Sequence, residues 1–295
     1  HKEIVLQAVL IVAHKNIEQM IKLANLLSRK FVVYVHIDKA HSLSRAEKEA
    51  LAINNINYVS EVRVHWGGWS VARAQLVLMK WAIANPNISY LHVISGQDWP
   101  CQNIDDIYHF YEHNKKIYMT YELSRSIKKS AQSLILWQQY YFNYDQFPRR
   151  TFIGKLYHHF LLLSETILRV NKFKRLNIEL EIYDGANWVD IPRDAAVFAL
   201  KYLEQKSNLR RMFETGFCSD EFWLQTILVN QPQFKARIVN DNHRYVKWVK
   251  QHGSFPAIID QNDFDLIPKT AQFIRKIEPR YSNQLIQQLN QRDHN

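Results

Sequence analysis

Hydrophobic and polar positions follow two rhythms along this chain. Over about residues 5–13 the run "VLQAVLIVA" is almost continuously apolar and too short to cross a bilayer, which predicts a buried strand. Ile17, Met20, Ile21, Ala24 and Leu27 then recur at helical spacing, predicting an amphipathic helix near 17–29. A second strand, "FVVYVHID" (31–38), and a helix over about 43–53 complete a βαβα order. That order predicts an α/β fold, with a mostly parallel central sheet and helices on both faces. Ser70 is predicted to cap a helix running to Asn85, where Pro86 stops it, and "YLHVIS" (90–95) predicts a further buried strand. The second half is more helical and aromatic, with "WQQYYFNYDQF" and "LYHHFLLLSETILRV" ahead of a strand-like "NWVDIP" (187–192) and a helix over 193–205. With no internal repeat or low-complexity linker, residues 1–295 read as a single domain.

Charge narrows the partners. A formal charge of +10 on 295 residues favours an anionic partner: nucleic acid, a membrane surface or a phosphorylated ligand. The basic residues are spread out, with short clusters at Lys128-Lys129, Arg149-Arg150, Lys172 to Arg175 and Arg210-Arg211, and no Arg/Gly or zinc-finger pattern accompanies them. Nucleic acid is therefore not expected, whereas Arg149, Arg150 and Lys172 to Arg175 suit peripheral contact with an anionic membrane. The two cysteines, Cys101 and Cys218, lie outside any metal-ligand spacing and fit a reducing, cytoplasmic compartment.

Open α/β sheets bind ligands at the carboxyl ends of their strands. Here those ends are polar: His14 and Lys15 after the first strand, Asp38 after the second, and Gln97 and Asp98 in "SGQDWP" after the fourth. Asp38 suits either hydrogen bonds from a base or ribose or the capping of its own turn. In "VHWGGWS", Gly67-Gly68 marks a turn needing positive φ or the close approach of a ligand. Neither GxGxxG nor GxxxxGK[ST] occurs, so the usual phosphate loops are excluded. Asp263-Phe264-Asp265 forms a literal DxD, read as structural at so late a position. Arg275, Lys276 and Arg280 in "FIRKIEPR" could instead neutralise a phosphorylated ligand, or simply end a solvated helix. "CSDEFWLQTIL" (218–228) leaves Asp220 and Glu221 three roles: helix start, metal site or catalytic base. With Ser219 as the N-cap, both would sit in a first helical turn, where the helix dipole favours the charged form by roughly 0.3–1 kcal/mol.

Taken in order, "VLIVAHKN", "VYVHIDKA", "VHWGGWSVARAQLVLMKWAI", "YLHVISGQDWP", "GANWVDIPRDAAVFAL", "CSDEFWLQTIL", "RYVKW" and "FIRKI" resemble the core-2/I-branching β-1,6-N-acetylglucosaminyltransferase family, which includes the peptide O-xylosyltransferases. The resemblance implies a GT-A-type glycosyltransferase fold, with a nucleotide-sugar-binding half over about 1–120 and an acceptor-binding, catalytic half over about 121–295. It further implies a UDP-sugar donor, a glycan or lipid-linked saccharide acceptor, inversion at the anomeric carbon, and catalysis with no metal or other cofactor. Glu221 then resembles the catalytic base. Nucleotide-sugar contacts are expected from Val12, His14, Asp38, Trp66, Ser70, Asp98, Arg275 and Lys276, the last on the diphosphate. Acceptor contacts are expected from Glu122, Trp188, Arg244 and Trp248. Ser254 stands near the position where some members carry a second diphosphate-binding Arg, so Arg275 or Arg244 is expected to replace it. A microbial member acting on surface polysaccharide, at the inner face of the membrane, fits the short, cysteine-poor chain. UDP-xylose as donor, or a non-catalytic glycan- or membrane-binding module on this fold, are the alternatives.

Overall fold

The computed structural model describes residues 4–129 and 132–292. Strands β1 (Leu6–Ala13), β2 (Val32–Ile37), β3 (Tyr58–Val59) and β4 (Ile88–Ser95) alternate with helices α1 (Ile17–Leu27), α2 (Arg45–Ile53) and α3 (Ser70–Ile83). β5 (Asp98–Pro100) and helix α4 (Ile104–Tyr111) lead into short strands: β6 (Ile117–Tyr118), β7 (Glu122–Leu123), β8 (Lys128–Lys129), β9 (Gln132–Ser133) and β10 (Tyr183–Asp184). Then come β11 (Asp190–Pro192), β12 (Ile238–Val239), β13 (Arg244–Val246) and β14 (Phe273–Arg275). The main sheet has the order β12-β6-β11-β4-β1-β2-β3, and a smaller one has the order β13-β14-β5. Only β11 runs against its neighbours in the main sheet, so the sheet is mostly parallel, as expected. Because β11 and β12 come from the second half of the chain, both halves complete the same sheet.

Period-two alternation puts successive β1 residues on opposite faces. Ala8 and Leu10 pack with α3 and the helix Arg193–Gln205, while Val9, Ile11 and Ala13 pack with α1, α4 and the helix Pro279–Arg292. A strand covered on both sides must be apolar throughout, which is why "VLQAVLIVA" reads as a continuous run. Among the described residues no helix is long and apolar enough to cross a membrane, and both cysteines are free and buried.

Local differences from the sequence reading have local causes. Ser70 does not cap α3: it is the first helical residue, its hydroxyl accepting from the His65 amide at 2.8 Å and donating to Asp145 at 2.5 Å. α1 ends at Leu27, where the backbone turns through Ser28–Lys30, and "NWVDIP" is a strand only over Asp190–Pro192. The DxD is structural, as expected. Asp263 is buried against Lys247 at 2.6 Å and completes a capping box with Asp260, while Asp265 is exposed.

The two sheets are joined by a buried ion pair. Asp190 on β11 accepts from both terminal nitrogens of Arg244 on β13, at 2.6 and 3.0 Å, and also from His92 at 2.8 Å and the Tyr111 hydroxyl at 3.0 Å. Burial alone would raise its pKa, but Arg244 and His92 outweigh it and hold the carboxyl well below the usual range. Arg244 is thus 1% exposed at its side chain, a strut between sheets and not the acceptor or diphosphate contact expected of it. Arg244→Ala leaves a buried charge unpaired, and should cost about 3–5 kcal/mol in denaturant unfolding, with Arg244→Lys recovering part of the loss.

Candidate active site

The segment carrying Glu221 is held from three sides. Cys218 enters it in left-handed conformation, φ 53°, and Ser219–Glu221 forms a single 3₁₀ turn before the helix Trp223–Val229 begins. Ser219 is therefore not an N-cap; its hydroxyl is spent on the Phe213 carbonyl at 2.5 Å. The Cys218 amide donates to Gly67 at 2.9 Å, and the Glu221 carbonyl accepts from the Gly185 amide at 2.8 Å. Gly67 has φ +84°, and a Cβ there would lie 2.5 Å from the Phe217 ring. The glycine pair thus serves close packing of "GGWS" onto this turn: a Cβ on Gly68 would strike the Asp145 carboxylate that holds Ser70.

Around this turn the carboxylates crowd. Asp184 lies opposite Glu122 in the β10–β7 ladder, and burial, then Glu221, push its carboxyl up to about 8. Burial, then Glu221, raise Asp220 well above the usual range, and Asn187 donates to it at 3.1 Å. Burial also raises Glu221, against the opposing charge of Lys129 on β8. Both carboxyls are thus raised by burial; the charge of Glu221 adds to the rise at Asp220, whereas Lys129 opposes it at Glu221.

A second group of charges gathers at the carboxyl ends of β1, β2 and β14. Burial, then the charges of Arg275, Arg150 and Lys15, pull the Lys276 ammonium down to about 8. Lys276 Nζ also lies 3.3 Å from Ser254 Oγ. Arg150 stacks over the half-exposed Trp66 ring at 4.8 Å. His14, lowered by burial and then by Lys15, also feels Asp38, Lys276 and Glu278. Two contact chains connect this edge to Glu221. On one side Arg150 covers Trp66, whose ring meets Phe217 edge-on at 5.5 Å next to the 218–221 turn. On the other, Arg275 lies over Trp188 at 4.6 Å, and the preceding Asn187 holds Asp220.

The remaining expected residues fall into place by their partners. Asp38 accepts from the amides of Ala40 and Val64, both through Oδ1, so it caps its turn while Oδ2 takes part in neither bond. Asp98 is 1% exposed and receives Ser95 Oγ at 2.6 Å and Arg275 Nε at 3.1 Å; it positions the arginine instead of meeting a ligand. Val12 lines β1, its carbonyl accepting from Gly96 at 2.9 Å. Trp188 is half-buried, with Arg275 over its ring. Trp248 is 66% exposed and forms a bare aromatic surface with Phe255, ring centroids 5.7 Å apart; Glu122 is exposed at the carboxylate side.

The family described as Core-2/I-Branching enzyme matches residues 8–268. The chain belongs to this family. It is 24% identical over 239 residues to a protein named Xylosyltransferase sqv-6 from Caenorhabditis briggsae, a match covering 77% of this chain and 26% of that protein. The chain therefore spans about a quarter of the length of this curated relative. A solved structure titled as the apo form of the bifunctional glycosyltransferase WbbM is similar over 92% of this chain and 45% of its own, at 11% identity and a TM-score of 0.42.

Within this Core-2/I-Branching chain, sequence reading missed Arg150, Lys129, Asp145 and Asp184 as members of the site. All but Asp184 lie in 121–177, and none belongs to a motif that resembles the family. The Asp184 carboxyl, ordinary in the unfolded chain, holds a proton up to about pH 8 in the fold. Between about pH 4 and 8 the folded state thus binds more protons than the unfolded, and stability falls as pH rises, by at most about 1.4 kcal/mol per pH unit for one proton. Asp184→Asn should flatten this decline in denaturant titrations from pH 5 to pH 8.

Proposed function

We propose that this chain transfers a sugar from a UDP-sugar to a glycan hydroxyl in one inverting displacement, with Glu221 as the base. Glu221 takes the proton of the acceptor hydroxyl while the hydroxyl oxygen forms the new bond to the anomeric carbon. The bond from that carbon to the diphosphate breaks, and its electron pair leaves with UDP. The observation that carries the reading is the linkage of a cationic edge, Lys276 with Arg275, Arg150 and Lys15, to a crowded carboxylate turn through the contacts of Arg150 with Trp66 and Phe217 on one side and of Arg275 with Trp188, next to Asn187 and Asp220, on the other. Fixed cations stabilise charge that develops on a leaving diphosphate, and Lys276, pulled down to about 8 by burial and its cationic neighbours, is held more firmly in its charged form beside an anion.

In this arrangement uracil and ribose lie beside Asp38, Trp66 and His14 at the ends of β1 and β2. The diphosphate meets Lys276, which lies next to Ser254, and Arg150 supplies the second cationic contact. The acceptor enters over Trp248 and Phe255, with Glu122 on the far side of Glu221. No metal is required by this scheme, because the arginine and lysine charges occupy the role a divalent ion would fill. N-acetylglucosamine in β-1,6 linkage is the donor sugar and linkage we propose, in surface polysaccharide or glycolipid synthesis on the cytoplasmic side. The name of the Caenorhabditis relative favours UDP-xylose as the second reading.

Glu221→Gln should lower transfer by about 10²–10⁴-fold, the usual worth of a positioned base, while UDP binds as before; near-normal turnover would remove Glu221 from the chemistry. Turnover with UDP-N-acetylglucosamine and UDP-xylose, each with and without chelator, separates the donors and tests the metal-free scheme. Lys276→Ala should weaken UDP far more than uridine in calorimetric titration. The wild-type affinity for UDP should fall above about pH 8, as Lys276 loses its proton. Equal loss for both ligands would make Lys276 a structural residue.

A further inference from the structure

The helix Phe152–Ile167 has one covered and one uncovered face. Gly154, His158, Leu162 and Glu165 are its buried side, packed on the Tyr140–Tyr144 segment and Phe217. The opposite side is not covered. Ile153, Leu156, Phe160, Leu163 and Ile167, spaced three and four residues apart, share one stripe with Phe152, and each of the six is between 55% and 76% exposed. Leu168, just beyond the helix, extends the stripe. An apolar band of this length is beyond what scattered surface residues explain, and marks an interaction face.

Its surroundings identify the partner. From Arg149 to Ile178 the only acidic residue is Glu165, and it is buried, accepting from the Tyr141 amide at 2.7 Å. Lys155, Arg169, Lys174 and Arg175 are exposed around the stripe. Lys172, expected to join them, does not: it is buried, donating to the carbonyls of Tyr140 and Met212 and to Thr215. A second copy of this chain would bring the same positive flanks against each other, and a neutral apolar groove would leave them unanswered. An anionic bilayer answers both, with acyl boundary for the stripe and headgroup charge for its rim.

We propose that the helix Phe152–Ile167 lies flat in the headgroup layer of an anionic membrane, its exposed stripe sunk to the acyl boundary and its basic flanks on lipid phosphates. Arg150, two residues before the helix, stacks on Trp66, so the docked face lies beside the cationic edge that holds Lys276. A lipid-linked acceptor would reach that edge without leaving the bilayer. The docking claim stands on the helix alone and not on the assignment of Glu221.

Vesicle sedimentation tests it. The wild-type protein should pellet with phosphatidylcholine vesicles containing phosphatidylglycerol, bind pure phosphatidylcholine far less, and lose binding as salt rises. Phe160→Glu with Leu163→Glu should weaken binding by about ten-fold or more, with circular dichroism and thermal midpoint unchanged, since both side chains are already exposed. Lys174→Glu with Arg175→Glu should remove most of the preference for phosphatidylglycerol. The proposal is overturned if wild type ignores both vesicles or if neither double variant changes binding. It is equally overturned if wild type is a dimer that Phe160→Glu with Leu163→Glu converts to monomer, because the stripe would then be a protein interface.

Discussion

The Asp190–Arg244 pair is the constraint on which the site's geometry depends. One partner is on β11 of the main sheet and the other on β13 of the small sheet, and both are essentially inaccessible to water. Attraction in so buried a place repays desolvation only when geometry is good and the leftover lone pairs are used; here His92 and Tyr111 use them. The pair fixes the small sheet at the side of the large one. β14, paired with β13, then delivers Arg275 and Lys276 to the carboxyl ends of β1 and β2, where open α/β sheets hold their ligands.

From that anchor the cationic edge and the Glu221 turn are linked by short steps of contact. Asp98 fixes Arg275, Arg275 covers Trp188, and the next residue back, Asn187, holds Asp220. On the other side Asp145 holds the first turn of α3, Gly67 binds Cys218, and Trp66 lies between Phe217 and Arg150. Each side ends at the turn that carries Glu221. A carboxylate and a lysine far apart in sequence are therefore positioned by backbone hydrogen bonds and buried polar groups, not by long side chains reaching across solvent.

Much of the architecture was legible because burial on both faces forces unbroken apolar strands, and amphipathic helices show their period. Helix Arg193–Gln205 and strands β1, β2 and β4 follow from these patterns nearly to the residue. What was not legible depends on tertiary partners. Ser70 and Ser219 both look like N-caps, yet each hydroxyl is drawn to a distant partner, Asp145 in one case and the Phe213 carbonyl in the other. Arg244 and Lys172 look like surface cations, yet one is a buried strut and the other a buried plug on three oxygens. Arg150 looked like one more basic surface residue, and only the fold brings it to Trp66 and Lys276. The apolar stripe of Phe152–Ile167 was hidden for a related reason: the face that finds the core carries His158 and Glu165, while the more apolar face is left outside.

The central claim is that the cationic edge and the Glu221 turn form one donor site. A structure of the protein with UDP bound tests this most directly. The account predicts the diphosphate within hydrogen-bonding reach of Lys276 and Arg150, the uracil beside Asp38 and Trp66, and the open end of the diphosphate turned toward Glu221. UDP seated elsewhere, or bound with its diphosphate away from Lys276 and Arg150, would contradict it.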